Sequence, residues 1–338
     1  MQALVIHGKQ DLREETRSLP ALAAHKVRLR MAFGGICGSD LHYYHEGANG
    51  AFVVREPLIP GHEMAGVIEQ DPSGTFEPGT PVTLHPATFG ICEPGLEEKP
   101  HLWPQGAYLG SASTWPHTQG GMSEYLDVDP SMIRVLPASL PLSRAALAEP
   151  LAVALHGIEV AGGVADQRVL VCGAGPIGLL AAAAALAKGA REVSITDVLE
   201  GPLARAQALG VSATYRINEQ ALPDEAFDVV LECTGVPASI NGAINAVRRA
   251  GIIAQIGMMP ATAQPIALAP LISKEVQLRG CFRFSHEIDE AIALLAKDAR
   301  FDDVITHVLP ASDAQNAFAI AKDSERSGKV LIELWPAG

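Results

Sequence analysis

Five cysteines in 338 residues are too few and too scattered for a disulfide framework, so the chain reads as one kept in a reducing compartment. Positive charge is also short. Lys and Arg number 25 against 38 Asp and Glu, a net charge of −13, and no Lys/Arg-rich tract occurs. That balance argues against nucleic acid and against an anionic membrane surface as partners. The start, Met1 to His7, lacks the charged opening and long apolar core of a signal peptide. One uncharged stretch, Val169 to Ala187, is almost long enough to span a bilayer, but Gly173, Gly175, Pro176 and Gly178 divide it into a strand, a turn and a helix. Internal repeats and low-complexity segments are absent. The expectation is a cytoplasmic protein with a small-molecule partner.

What is present is an ordinary globular composition, 48% hydrophobic and 19% charged, and a length that suggests two domains. Up to about residue 148 the chain is rich in Gly, Pro and short alternating runs such as Lys26 to Met31, Ala65 to Glu69 and Val82 to Leu84, the pattern of an irregular β-rich domain. From about 150 strand-like and helix-like runs alternate: Arg168–Cys172, Pro176–Lys188, Glu192–Thr196, Pro202–Leu209, Asp228–Glu232, Pro237–Val247, Ile252–Gly257 and Val276–Cys281. Such alternation predicts a parallel, doubly wound α/β sheet with helices on both faces. A helix over His286–Lys297 and a strand over Lys329–Leu334 follow.

Gly173-Ala174-Gly175-Pro176-Ile177-Gly178 has G-x-G-x-x-G spacing between an apolar strand and an Ala-rich helix. In that setting the first Gly permits the turn, the second admits a pyrophosphate, and the third allows close helix–strand packing, while the helix N-terminus faces the phosphates. Asp197, 19 residues after Gly178, is placed to accept from a ribose 2′-hydroxyl and to repel a 2′-phosphate. Glu200 is nearby and no Arg or Lys follows before Arg205, so NAD is expected over NADP. The competing reading is a glycine-rich structural turn with a chance acid beside it.

In the first half Cys37 is followed by Pro60-Gly61-His62-Glu63. Cys37, His62 and Glu63 offer a thiolate, an imidazole and a carboxylate, a donor set zinc accepts with a fourth position open. Each residue alone is ordinary; their company with a dinucleotide loop carries the argument. Glu149 is a further carboxylate. Two negative ligands balance Zn²⁺, and adding Glu149 makes the site net anionic, so Glu149 is expected as a displaceable or water-mediated ligand.

The runs Gly34 to Gly47, Gly61-His62-Glu63, Ala148 to His156 and Gly173 to Gly178 together make the chain resemble, essentially end to end, the zinc-dependent medium-chain dehydrogenases, in the polyol branch that holds the sorbitol and L-idonate 5-dehydrogenases. Gly110-Ser111-Ala112, Pro116 to Gly121 and Leu278 to Phe284 look most like the L-idonate side of that branch. The resemblance implies a GroES-like catalytic domain (1–150 and 284–338) and a Rossmann coenzyme domain (151–283). It implies Cys37, His62 and Glu63 as zinc ligands, Asp40 as the acid orienting the histidine, and Ser39 and His42 as a proton relay through the nicotinamide ribose. Tyr43, Glu149, Arg283 and Phe284 match positions lining the polyol pocket, and Ile256, Gly257, Met258, Cys281 and Phe282 match positions beside the nicotinamide.

There is one departure. The stretch from Pro86 to Tyr108, where many relatives hold a structural zinc on four cysteines, has only Cys92. One zinc per chain is therefore expected, the loop being packed by Pro100, Trp103 and Pro104 instead.

The implied reaction is oxidation of a secondary hydroxyl with hydride transfer to NAD. Arg283, and less directly His117, offer a cation to a sugar-acid carboxylate, which favours L-idonate going to 5-keto-D-gluconate. A neutral polyol could equally use Arg283 as a hydroxyl donor. Other readings are the metal-free reductase branch, which Cys37, His62, Glu63 and Asp197 oppose, and a catalytically silent dinucleotide-binding protein. The family also suggests a homodimer or tetramer, with the strand around Val276–Cys281 as a candidate edge.

Overall fold

The computed structural model describes residues 1–335. Two sheets organise the molecule. The first has seven strands in the order Ile133–Val135, Pro81–Leu84, Glu63–Gln70, Val27–Gly35, Lys329–Glu333, Ile305–Pro310, with Tyr125–Val128 also paired to Val27–Gly35. Its strands are antiparallel except for Ile305–Pro310 and Lys329–Glu333. The register sets Leu331 opposite Gly35 and Gly35 opposite Glu63, so a strand from the far end of the chain lies beside the strand leading into Cys37.

The second sheet has six parallel strands in the order Ala213–Arg216, Glu192–Asp197, Arg168–Cys172, Phe227–Glu232, Val247–Gln255, Gln277–Gly280. The order reverses at Arg168–Cys172, and the crevice outside such a reversal is where open α/β sheets bind ligands. The helix Pro176–Ala187 starts with Pro in its first turn after an extended Gly175, and Gly178 to Ala185 are all buried. A helix apolar all round must be enclosed. It is packed between the sheet and the helices Ala148–Val160 and Glu200–Ala208. A Cβ on Gly178 would lie 1.8 Å from the carbonyl oxygen of Gly173, so only glycine permits this approach.

The predicted elements recur with shifted ends. The helix predicted from His286 begins at Ile288, because Glu287 turns its carboxylate onto the N–H groups of Ser285 and His286 (2.7 and 2.9 Å). The strand predicted from Ile252 begins at Val247, directly after the helix Pro237–Ala246. Strands Ala213–Arg216 and Ile305–Pro310 and the helix Ala314–Lys322 were not expected. The cysteine-poor stretch is held by pairing of Ala87–Thr88 with Ala107–Tyr108 and by the Trp103 indole N–H donating to the Leu96 carbonyl (2.7 Å). Cys92 is exposed. No helix among the described residues is long and apolar enough to cross a membrane.

Candidate active site

Cys37 precedes the helix Gly38–Glu46 in extended conformation. One oxygen of Asp40, fully buried, accepts from the Cys37 N–H (3.0 Å) and the other from the Gly61 N–H (3.2 Å). A single carboxylate thus ties the Cys37 turn to the Gly61-His62-Glu63 turn, and burial raises its pKa against the pull of His62. Among the described residues Asp40 makes no hydrogen bond to the His62 ring. It acts on that ring through charge and through the backbone on either side. Gly61 has φ +99°, and a Cβ there would meet Met122 at 2.7 Å, so the turn requires glycine.

The result brings one donor atom each of Cys37, His62 and Glu63 within 4.8 Å of one another. Burial by itself would depress His62, yet Cys37, Glu149 and Asp40 surround it and hold its pKa well above the ordinary value. Asp40, Glu63 and Glu149 are all buried here together with the half-buried Cys37. Buried charges need partners, and thiol, imidazole and carboxylate around a shortage of positive charge make a site that fits a divalent cation, zinc by its donors.

One cation is already there, and sequence reasoning missed it. Lys329 is 2% exposed, and its Nζ lies 2.6 Å from both oxygens of Glu63 and 3.1 Å from the Ile36 carbonyl. Burial works against its charge, but Glu63 and Cys37 win and raise its pKa. This corrects the charge balance drawn from sequence. Lys329 pairs with Glu63, and its ammonium enters a balance that the sequence reading drew from the acids alone. What restrains Glu149 is Tyr108, whose hydroxyl donates to its Oε1 at 2.5 Å. Tyr108 is the second residue missed. Burial and the carboxylate beside it push its phenol well above its usual pKa.

Arg283 stands over this pair. Its guanidinium carbon is 4.1 Å from the centre of the Tyr108 ring and 4.8 Å from that of Phe282, the geometry of cation–π stacking. Among the described residues no carboxylate pairs with it and no hydrogen bond holds it. Its φ is +53°, a strained backbone for a residue with a side chain. Arg283 and Phe284 form a wall of a cavity of about 580 Å³ that Phe52, Trp103 and Trp115 help to line. Phe284 itself is 1% exposed and stacks against His85, so it shapes the wall without offering a polar group.

Two expected substrate contacts are otherwise engaged. The Tyr43 hydroxyl accepts from the Ala112 N–H (3.1 Å) and lies 3.4 Å from Ser111, anchoring that loop. His117 accepts from the Arg55 N–H at Nε2 (2.9 Å) and faces the Thr114 carbonyl with Nδ1 (3.0 Å). Both ring nitrogens serve backbone, which leaves His117 no hydrogen bond for a carboxylate. Ser39 is half-buried and His42 exposed three residues along the same helix, on one face.

At the second sheet Gly173 has φ +91°. Asp197 accepts from the N–H groups of Ala174 (2.8 Å), Val198 (2.7 Å) and Leu199 (3.0 Å), fixing the glycine loop against the next strand. Arg205 is spent on the carbonyls of Ser324, Glu325 and Ser327. Parallel pairing places Arg216 directly opposite Asp197, however, near Glu200 and Glu219. Asp197 therefore has a guanidinium beside it, which counting along the chain could not reveal. Ile256 and Gly257 donate to the Glu232 carbonyl (2.8 Å each), Cys281 to that of Gln255 (3.0 Å), and Met258 and Phe282 are exposed at the same strand ends. Glu232, fully buried, accepts from Gly235 (2.9 Å), Ser239 (2.8 Å) and Gln255 (2.6 Å) and so braces that rim.

Residues 23–138 match the family described as alcohol dehydrogenase GroES-like domain, and residues 176–297 match that described as zinc-binding dehydrogenase. The chain is 34% identical over 340 residues to the L-idonate 5-dehydrogenase (NAD(P)(+)) of Escherichia coli strain K12, with 98% of each chain covered. It is 33% identical to the sorbitol dehydrogenase of Macaca fascicularis, covering 95% of this chain and 92% of that one. Among solved structures, L-idonate 5-dehydrogenase from Escherichia coli superposes with a TM-score of 0.91 at 31% identity, covering 98% of this chain and 97% of that one.

Proposed function

Because the chain belongs to the zinc-dependent medium-chain dehydrogenases, in their polyol branch, we propose that its substrate is a sugar acid, with L-idonate oxidised to 5-keto-D-gluconate. The observation that carries this reading is Arg283: a guanidinium without an acid of its own, stacked on Tyr108 at the edge of the cleft. A planar fork of that kind suits a carboxylate. The identity to the L-idonate enzyme supports it further.

In this reading Cys37, His62 and Glu63 hold one catalytic zinc per chain, and Cys92, alone in its lobe, builds no four-thiolate site. Bound there, zinc supplies Lewis acidity to the substrate hydroxyl, and the nicotinamide accepts hydride. The chain's own residues do the rest. Lys329 holds Glu63 in place, and Tyr108 holds Glu149 at the pocket's edge. Ser39 and His42 carry the proton from the buried site towards water. Gly173, Gly175, Pro176, Ile177 and Gly178 cradle the pyrophosphate of NAD(P). Asp197 favours NAD and Arg216 tempers that preference.

The two sheets also support a division into a catalytic part (1–150 and 284–338) and a coenzyme part (151–283), since Lys329–Glu333 pairs with Val27–Gly35. Gln277–Gly280 is an outer strand with Leu278 exposed, and is the edge through which we place a dimer.

A second reading, a neutral polyol, is favoured by the same Arg283 and Glu149 acting as hydroxyl partners. Comparing kcat/KM for L-idonate and sorbitol, in wild type and Arg283→Met, tests the choice. The sugar acid is expected to be preferred and the preference to vanish in the variant. A preference for sorbitol that survives the substitution overturns the proposal.

A further inference from the structure

A second group of side chains of metal-ligating type lies outside the Cys37 corner. One donor atom each of Glu159, His286 and Glu287 lie within 4.8 Å of one another. His286 Nε2 is 3.6 Å from Glu159 Oε2, and ligand atoms on a tetrahedral zinc ion stand about 3.4 Å apart. Small side-chain rotations therefore suffice to close the group on an ion.

The surroundings are prepared for one. Glu287 is buried, and its Oε1 is 2.5 Å from His156 Nδ1 while its other oxygen accepts from Ser285 and His286. Carboxylates that ligate metals are themselves commonly hydrogen-bonded in this way. The same residues border a cavity of about 300 Å³ that His101 enters from the cysteine-poor lobe. The His101 ring meets that of His156 edge-on, 4.8 Å between centres, and its buried Nδ1 has no hydrogen-bond partner. Buried polar atoms rarely stay unpaired in a native protein without a ligand or water to explain them. Three carboxylates, those of Glu98, Glu159 and Glu287, line this cavity beside one ammonium, that of Lys99.

We propose that Glu159, His286 and Glu287 bind a divalent transition ion of the zinc class, with His156 orienting Glu287 and His101 closing the cavity. Nitrogen and oxygen donors of this kind select zinc and its neighbours over calcium or magnesium. Glu159 lies on the helix that carries Glu149, and His286 follows Arg283 by three residues. Glu159 and His286 are largely exposed, so the ion exchanges readily. The inference does not depend on which substrate the cleft accepts.

The test is zinc binding by equilibrium dialysis of the full-length protein at graded free zinc, with bound metal counted by mass spectrometry. Wild type is expected to bind two ions per chain. The surface double variant Glu159→Gln/His286→Ala is expected to bind one and to keep its turnover, and Cys37→Ser to bind one at the weaker affinity. Added zinc is expected to raise the melting temperature of Cys37→Ser, and to leave that of the triple variant unchanged. Saturation of wild type at a single ion, or two ions still bound by the double variant, overturns the proposal.

Discussion

The ammonium of Lys329 sits 2.6 Å from both carboxylate oxygens of Glu63, and neither side chain reaches solvent. The pair joins a residue beside His62 to one near the far end of the chain, inside the group that fits zinc. Taking one member away leaves an uncompensated buried charge. In Lys329→Met we expect a loss of about 3–5 kcal/mol in the zinc-depleted protein, the range for breaking a buried ion pair. The loss should be smaller with zinc bound, because the ion takes over part of the neutralisation, and Lys329→Arg should recover much of it. Denaturant midpoints with and without zinc check this; equal midpoints for wild type and Lys329→Met in both conditions would refute the role.

Cys37→Ala and His62→Ala are expected to abolish turnover while dinucleotide binding persists, since the coenzyme loop belongs to the other sheet. Steady-state assays beside a fluorescence titration with NADH separate the two. Near-normal activity of either variant after chelation would contradict a zinc mechanism.

Tyr108→Phe removes the hydroxyl on Glu149 and keeps the ring beneath Arg283. A hydrogen bond to a charged group contributes about 1.5–3 kcal/mol, so kcat/KM should fall about 10- to 100-fold with metal content unchanged. Metal analysis of the purified variant is the control. Lost zinc would mean that Tyr108 serves the metal site instead of the substrate.

Asp197 and Arg216 face each other across two parallel strands. Asp197→Ser is expected to improve use of NADP relative to NAD by on the order of tenfold, roughly one charge-assisted hydrogen bond. Arg216→Ala should move the ratio the other way. Ratios of kcat/KM for the two coenzymes decide it, and an unchanged ratio in both variants removes the pair from coenzyme selection.

Asp228 supplies a pH prediction away from the cleft. Burial raises its pKa, but hydrogen bonds from Arg168 and Arg248 outweigh that and bring it from 3.8 to about 2. A depressed carboxyl contributes stability that is fully present above its unfolded pKa and lost as pH falls through the folded one. The stability gap between wild type and Asp228→Asn should thus be constant above about pH 5 and close from pH 3.8 towards 2. Urea midpoints across that range measure it, and a gap that persists at pH 2 would exclude the linkage.

What the sequence disclosed and what it hid divide along chain distance. Gly173 to Gly178 and Gly61-His62-Glu63 are contiguous, and the requirement for glycine at Gly178 or Gly61 is local in cause. Lys329 and Tyr108 act on residues far from them in the chain, Arg216 acts through the register of a neighbouring strand, and nothing in their own neighbourhoods marks them. Lys329 heads an apolar strand and reads as a solvent-facing start, yet its side chain is enclosed. The strand Ile305–Pro310 escaped because its residues are half-exposed and lack the clear alternation of a two-faced strand. His117 misled for the opposite reason: a polar ring in a recognisable motif was taken up by backbone.

The pairing of Leu331 with Gly35 has a consequence for biosynthesis. At roughly 5–20 residues per second on the ribosome, the strand that leads into Cys37 waits about 15–60 s for its neighbour to be made. During that interval it offers an open flank of amides and carbonyls of the kind that recruits chaperones or mispairs with other nascent chains. Translation that stalls short of Lys329 leaves Glu63 without its counter-ion.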